Sequence, residues 1–211
     1  MTEPNNPSRR QFIRTSAALG TGLMLELHFT HNALASSSDA ANHFTPNAWL
    51  EIQPDNTVIF TLAESEMGQG VMTSLPMILA EELEVNWQHI QVRQAPYNPI
   101  YGKQSTGGST SVSQGWEVLR HAGATARIML IAAAAQQWKV TANECRAENS
   151  RIIHPASGRS FAFGELAQHA AQQSLPTTVK LKRPNEYRII GKSMPRLDSP
   201  KKNYRYGGIW D

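Results

Sequence analysis

The strongest constraint on the fold is a long helical pattern that follows the loop 104–111 and carries small residues along one face. Their spacing of three and four positions places these residues on a single stripe: Trp116, Leu119, Gly123, Ala126, Leu130, Ala133 and Ala134. So many small side chains let another backbone pack closely against the helix. We expect that the covering surface is missing from this chain. That would leave an exposed apolar patch and a poorly stable protein.

The rest of the chain alternates between strand and helix patterns. The predicted elements are a hairpin of 49–52 and 57–62 around Pro54-Asp55-Asn56, a helix with a stripe from Val71 to Leu83, a strand at 89–93, the long helix, a second hairpin at 144–154, a helix around 165–173, and extended chain to Ile190. No internal repeat is present. This order predicts an α+β fold with mixed strands and helices.

Residues 1–35 have the features of an export signal. Arg9 and Arg10 are followed by Phe12 and by an uncharged small and apolar run, 15–25. Ala33-Leu34-Ala35 then has the small-x-small pattern that precedes signal-peptidase cleavage after Ala35. The run is shorter than the roughly 20 residues of a membrane span. An arginine pair before a mild apolar core is typical of a twin-arginine signal.

We therefore expect residues 1–35 to be removed and residues 36–47 to be a linker. The twin-arginine export machinery would be a partner, and the mature protein would lie in the periplasm or on the periplasmic face of the inner membrane. The alternative is an amphipathic N-terminal helix of the mature domain. The arginine pair, the cleavage triplet and the Ser/Ala-rich stretch after it all count against that alternative.

Charge and cysteine content exclude several functional classes. The net charge is only +3 and the basic residues are scattered, which argues against nucleic-acid binding. Cys145 is the single cysteine, so the chain has no internal disulfide, and its alternation with Ala147 predicts a buried, inert thiol. No metal-ligand pattern is visible, and we assign no catalytic residue. Glu81 and Glu82 are consecutive on a predicted helix and are expected to form a solvated face.

Two glycine-rich loops stand directly before predicted helices. The first contains Gly68, Gln69 and Gly70, and the second contains Gly108, Ser109, Thr110 and Ser111. A helix start directs free backbone N–H groups and the positive end of the helix dipole at the loop, which suits a phosphate or another polar anionic ligand. The Gln69 amide can both donate and accept. Alternatively, these residues form ordinary turns and helix caps. Neither loop has the Walker A or the dinucleotide-fold pattern.

Several stretches together resemble a known family. They are Glu66-Met67-Gly68-Gln69-Gly70 with Thr73 and Ala80-Glu81-Glu82-Leu83, then Ser105-Thr106-Gly107-Gly108-Ser109-Thr110-Ser111, Trp116, Leu119-Arg120, Ala122-Gly123-Ala124 and Ala126-Arg127, and finally Leu181-Lys182, Gly191-Lys192 and Arg196-Leu197-Asp198. The first group resembles the molybdopterin-binding part of xanthine dehydrogenases and aldehyde oxidases. The others are similar to the isoquinoline 1-oxidoreductase β-subunit branch, and the resemblance runs from about Arg9 to Lys202.

The resemblance implies a molybdopterin cytosine dinucleotide cofactor. It also implies hydroxylation of an N-heterocycle or aldehyde with oxygen from water, and a separate small subunit carrying two 2Fe–2S clusters. Gly68, Gln69 and Gly70 correspond to a family loop that contacts the cofactor, and Gly108 to Ser111 are carried over with them. Family members are several times longer, and their catalytic glutamate lies near the far C-terminus. Catalytic and metal-binding residues are therefore expected outside this chain, which by itself is expected not to retain the cofactor.

On this view residues 48–192 are a molybdopterin-binding-type segment and 193–202 begin a linker to a missing domain. Residues 203–211 depart from the family pattern, and one inserted base near Lys202 would convert a family-like continuation into this tail. We therefore expect an out-of-frame tail and a truncated, inactive large subunit. The alternatives are a non-enzymatic exported module that binds a ligand or partner, and one half of a split enzyme. The downstream coding DNA separates the three.

Overall fold

The computed structural model describes residues 44–102 and 104–198. A first sheet consists of four strands: β1 (Phe44–Asn47), β2 (Leu50–Ile52), β3 (Val58–Leu62) and β4 (Ile90–Gln94). They lie in the order β1-β2-β3-β4, with antiparallel pairing except between β3 and β4, which are parallel. The predicted hairpin is confirmed, because Leu50 pairs with Phe60 across β2 and β3. Asn56 makes the turn between them with a φ of 73°.

Two helices follow the two parallel strands. Helix α1 (Val71–Leu83) connects β3 to β4, and helix α2 (Ser111–Trp138) comes after β4. Leu75 of α1 lies close to Gly115 of α2. Leu79, about one turn later in α1, lies close to Gly123, about two turns later in α2. Since both contact residues advance together along the chain, α1 and α2 run in the same direction. The strand–helix–strand–helix unit therefore places both helix starts at one end of the fold.

The small-residue stripe of α2 is covered within this chain. Ala126, Ala133 and Ala134 are fully buried, and a Cβ atom on Gly123 would lie 2.4 Å from the Leu79 carbonyl oxygen. Helix α1 packs on this helix at Gly123, and a third helix, α3 (Phe163–Ala171), also packs on it. The close backbone was predicted correctly, but the expected exposed patch is wrong because α1 and α3 supply the cover. Because the patch is covered, it no longer gives a reason to expect poor stability.

Helix α2 is also long and apolar enough to cross a membrane by length and composition. Most of its apolar window is buried against other parts of the fold. Its hydrophobicity is therefore accounted for by its place as the central helix of the core.

A second, three-stranded sheet follows α2. It contains β5 (Arg146–Glu148), β6 (Arg151–His154) and β7 (Arg159–Ala162), all antiparallel, and it leads into α3 (Phe163–Ala171). The predicted second hairpin is confirmed, whereas β7 was not predicted. Cys145, just before β5, is buried as expected, and burial raises the pKa of its thiol. Gly164, at the start of α3, contacts the turn between β2 and β3. Its N–H donates to Asn56 Oδ1 at 3.1 Å, and a Cβ atom on Gly164 would clash with the Pro54 carbonyl.

The end of the described chain returns across α1. After α3 the backbone is irregular apart from a short 3-10 turn, Pro184–Glu186. The segment expected to begin a linker is described as far as Asp198, which is buried, and the Leu197 N–H donates to Thr73 Oγ1 in α1 at 3.2 Å. At the other end, β1 starts at Phe44, inside the stretch expected to be a linker.

Several sequence expectations lie outside the described residues. They are the signal with Arg9 and Arg10, cleavage after Ala35, the linker as far as residue 43, and the tail 203–211.

Candidate functional site

The two glycine-rich loops meet at one edge of the first sheet. Each follows the carboxyl end of a parallel strand, β3 at Leu62 and β4 at Gln94. A direct hydrogen bond joins them, since the Ser65 N–H donates to Thr106 Oγ1 at 2.8 Å. In open α/β sheets the crevice beyond the carboxyl ends of parallel strands is where ligands bind. The structure thus brings both sets of predicted site residues into one region.

The first loop is organised around Glu66. Its carboxylate accepts the backbone N–H groups of Gly68 at 2.8 Å, Gly70 at 3.0 Å and Met72 at 2.9 Å. Gly68 and Gly70 have φ values of 102° and 88°, a left-handed conformation that glycine adopts without strain. The chain therefore places its own carboxylate at the start of α1, where unpaired N–H groups favour an anion.

Glu66 is nearly buried, with 8% of its side chain exposed. Burial raises the pKa of this carboxyl, but the three N–H donors outweigh burial and hold the pKa below its usual value. The guanidinium of Arg196 lies 3.6 Å from Glu66 Oε1 and is paired with Asp198 at 3.0 Å. This role of Glu66 was not predicted from the sequence. An acidic residue a few positions before a helix start is the signal that could have revealed it.

Gln69 is exposed at the tip of this loop. Its Oε1 accepts the Met67 N–H at 2.6 Å, and its Nε2 donates to the Ser65 carbonyl at 2.8 Å. These two bonds fix the plane of the amide. They use one of the two N–H groups of this exposed amide, and no described residue accepts the other.

The second loop has a different construction. Gly108 and Ser109 have positive φ values of 66° and 57°, and Thr110 precedes the first residue of α2, Ser111. The Thr110 hydroxyl donates to the Gly107 carbonyl at 3.2 Å, which closes the turn. Serine and threonine stand at this helix start, and no carboxylate accepts a backbone N–H of the described residues 104–113, in contrast to Glu66 in the first loop.

Apolar side chains are also exposed on the segments that carry these loops. Met67 is 68% exposed and Tyr97 is 87% exposed, and Ile100 and Val112 are partly exposed. Large apolar residues in such positions give the loop surface both polar backbone and apolar contact area.

Glu81 and Glu82 were expected on a solvated face, and that expectation is wrong. Both are buried, because α2 and the returning segment 180–190 cover α1 on that side. Glu81 accepts Lys182 Nζ at 2.6 Å and the N–H groups of Arg188, Ile189 and Ile190. Burial raises the pKa of Glu81, but these donors lower it overall.

Glu82, the next residue along α1, forms a second set of ion pairs and hydrogen bonds. It pairs with the guanidinium of Arg120 at 2.8 Å and with that of Arg127 at 3.5 Å, and it accepts the Lys182 N–H. The two carboxylates therefore bind the returning segment to α1 and α2. Within residues 44–102 and 104–198, no group of three or more histidine, cysteine, aspartate or glutamate side chains is placed to hold a metal ion.

The molybdopterin cofactor-binding domain family matches residues 5–208, nearly the whole chain. The chain belongs to this family. The resemblance to the xanthine dehydrogenase and aldehyde oxidase group is thereby confirmed, and so is the α+β fold.

Two curated relatives are similar over most of this chain. It is 32% identical over 206 residues to the membrane-bound aldehyde dehydrogenase (pyrroloquinoline-quinone) of Gluconacetobacter polyoxogenes, covering 92% of this chain and 26% of that protein. It is 31% identical over 208 residues to the isoquinoline 1-oxidoreductase subunit beta of Brevundimonas diminuta, covering 80% and 27%. The chain thus spans about a quarter of the length of these relatives. The names of these relatives specify an aldehyde dehydrogenase and an isoquinoline 1-oxidoreductase subunit.

Solved structures show weaker similarity. Quinoline 2-oxidoreductase from Pseudomonas putida 86 covers 56% of this chain and is covered over 15% of its own length, with 18% identity and a TM-score of 0.46. The CO dehydrogenase from Oligotropha carboxidovorans has 22% identity and a TM-score of 0.43 at the same coverage.

The residues of the two loops fit part of a molybdopterin group. A Cβ atom built on Gly68, Gly70 or Gly107 would meet nothing within 4 Å, so the backbone of each loop borders open space. A flat ring system can approach such backbone closely. The fixed amide of Gln69 suits the polar edge of a heterocycle, and the Gly108–Ser111 turn at a helix start suits a phosphate.

Proposed function

We propose that this chain supplies two cofactor loops of a molybdenum hydroxylase that acts on an aldehyde or an N-heterocycle. The single observation that supports this most is the Ser65–Thr106 hydrogen bond, which joins the two loops at the carboxyl edge of β3 and β4. When bound, the molybdenum cofactor supplies the chemistry that transfers oxygen from water to the substrate and accepts the electrons. The residues of this chain bind and orient the cofactor.

Each loop has its own part in this proposal. Gln69 would hold the polar edge of the pterin through its outward N–H group, while Met67 and Tyr97 add apolar contact area. Gly108, Ser109, Thr110 and Ser111 would hold a phosphate of the cofactor, in the cytosine dinucleotide form. Backbone amides and hydroxyls bind a phosphate without requiring a charged side chain.

Catalysis requires more than these loops. The activities named for the relatives belong to proteins of which this chain spans 26% and 27%. We propose that the 211-residue chain alone neither catalyses hydroxylation nor retains the cofactor. It would act with the remainder of a large subunit, either in the same gene product or as a separately made half, and with a small subunit carrying iron–sulfur clusters. The second candidate, a non-enzymatic module, is supported by the exposed apolar side chains around the loops.

Isolation from its source cells tests the proposal directly. The chain is tagged, purified with whatever polypeptides accompany it, and analysed for molybdenum and for the released organic cofactor. We expect molybdenum and a pterin cytosine dinucleotide in the complex, and accompanying polypeptides that supply the rest of the large subunit. Release of pyrroloquinoline quinone, which the name of one relative specifies, would overturn the cofactor assignment.

The same isolation tests Gln69. Replacing it with alanine removes the outward N–H group and the two bonds that shape the loop, and one bonded polar contact is worth about 1–3 kcal/mol. We expect Gln69→Ala to lower pterin retention by roughly five- to a hundredfold after dialysis. Gln88→Ala is the matched control, since Gln88 is an exposed glutamine beyond the other end of α1. Equal retention in both variants would reduce Gln69 to a turn residue.

We also propose that the protein is exported by the twin-arginine route to the periplasm. Changing Arg9 and Arg10 to lysine keeps the charge but removes the receptor-recognised pair. We expect the double variant to remain in the cytoplasmic fraction, unprocessed, while Arg14→Lys is processed after Ala35 like the parent chain. Normal processing of the double variant would remove the localisation proposal.

A further inference from the structure

The start of α1 already holds an anion that belongs to the chain. The Glu66 carboxylate accepts three N–H groups of the loop and first turn, from Gly68, Gly70 and Met72, at 2.8–3.0 Å. Its side chain is only 8% exposed. A cofactor phosphate placed at the same N–H groups would have to displace this carboxylate and leave a buried negative charge without its donors.

We propose that Glu66 is a positioning residue for the cofactor loop, and that its carboxylate excludes cofactor phosphate from the start of α1. The inference rests on the proposed cofactor function. Glu66 acts through Gln69: by gathering the N–H groups on either side, it fixes the curve of the loop and turns the Gln69 amide outward. The phosphate is then left to the second loop, where the described residues place hydroxyls and backbone at a helix start instead of a carboxylate.

Glu66 also connects this loop to the returning chain. Arg196 lies 3.6 Å from Glu66 Oε1 and forms two bonds with Asp198, each at 3.0 Å. The Leu197 N–H in between donates to Thr73 Oγ1 in the first turn of α1. Residues 196–198 thus contact the same helix start, and the Glu66 charge is shared between backbone donors and one guanidinium.

Chemical rescue tests this role without any cofactor. In Glu66→Ala the three N–H groups lose their acceptor, and added formate supplies a small carboxylate of matching chemistry. In the full 211-residue chain, amide NMR signals of Gly68, Gly70 and Met72 should shift on substitution and return towards the parent positions with millimolar formate. Inorganic phosphate should perturb the same signals in Glu66→Ala but not in the parent chain.

Matched variants keep the test decisive. Glu66→Gln retains the shape but can offer only one acceptor oxygen, so we expect an intermediate shift of the same three signals. Glu64→Gln removes a neighbouring carboxyl whose pKa is raised by burial, and it should leave those signals in place. If Glu66→Ala does not fold, Glu66→Gln carries the measurement. Three unshifted signals in a folded variant would overturn the proposal.

Cofactor retention provides the separate second readout. In the isolated complex, Glu66→Ala should lower pterin retention about tenfold or more, through the displaced Gln69 amide. A loss of retention without shifted loop signals would refute positioning while leaving the cofactor function intact. Signals that shift and are rescued by formate, in a protein whose parent complex holds no pterin, would refute the cofactor function while leaving the effect of Glu66 on the loop intact.

Discussion

Replacing Gly123 with valine is expected to destabilise the fold by about 3 kcal/mol, the upper part of the range for inserting atoms into a packed core. A Cβ atom at this position would lie 2.4 Å from the Leu79 carbonyl oxygen and 3.2 Å from Glu82 Cβ. The first contact is with backbone, so relief requires α1 and α2 to move apart. In thermal unfolding of the full chain, the midpoint should fall by roughly 10 °C.

Gly115→Ala is the matched control on the same helix. Its Cβ would meet Leu75 Cδ2 at 3.3 Å and Leu119 Cδ1 at 3.4 Å, both at the ends of flexible side chains. Alanine also favours helix over glycine by about 1 kcal/mol, so this variant should be neutral or slightly stabilised. Similar midpoints for the two variants would mean that the close crossing at Gly123 does not limit the packing of α1 on α2.

This crossing illustrates what the sequence could predict. The spacing of Gly123, Ala126 and Ala133 is a local property, and it correctly predicted a backbone packed close to the helix. Which backbone covers the stripe is decided by the path of the chain. Helix α1 runs parallel to α2 because β3 and β4 are parallel, and nothing in the periodicity of either helix states that pairing.

The same limit explains the error at Glu81 and Glu82. Consecutive residues on a helix do point in different directions, and on an isolated helix that favours solvent for at least one of them. Here α1 is covered on both sides, by α2 and by a segment about a hundred residues later in the chain. Charged residues so far apart in sequence give no local pattern that predicts their pairing.

More of the candidate site than of the helix packing could be predicted from the sequence. Two glycine-rich loops before helices were recognised from local pattern, and the structure places them side by side through Ser65 and Thr106. Glu66 was also within reach of local reasoning, because it lies only a few positions before the start of α1. The short strand β7 was beyond that reach, since Arg159–Ala162 has no strong alternation and pairs only because β6 lies beside it.

Replacing Glu82 with alanine is expected to cost about 3–5 kcal/mol, the range for removing one partner of a buried ion pair. Glu82 is fully buried, and its carboxylate is the anion shared by Arg120 and Arg127, which are themselves mostly buried. Both arginines keep backbone acceptors, at the Lys182 and Glu82 carbonyls, but lose the opposite charge. The urea midpoint of the full chain should therefore fall sharply.

The comparison that isolates this buried charge uses Glu117, on the solvent side of α2. Glu117 is 66% exposed and its nearest partner, His121, is 4.0 Å away, so Glu117→Ala should change stability by less than about 1 kcal/mol. A double-mutant cycle with Glu82→Met and Arg120→Met then measures the pair itself. If uncompensated charge is the main cost of Glu82→Met, the double variant will be more stable than Glu82→Met, because it removes one of the two arginines that Glu82 neutralises. A double variant that loses the sum of the two single losses would show instead that each side chain contributes through packing, and that the pair carries no specific energy.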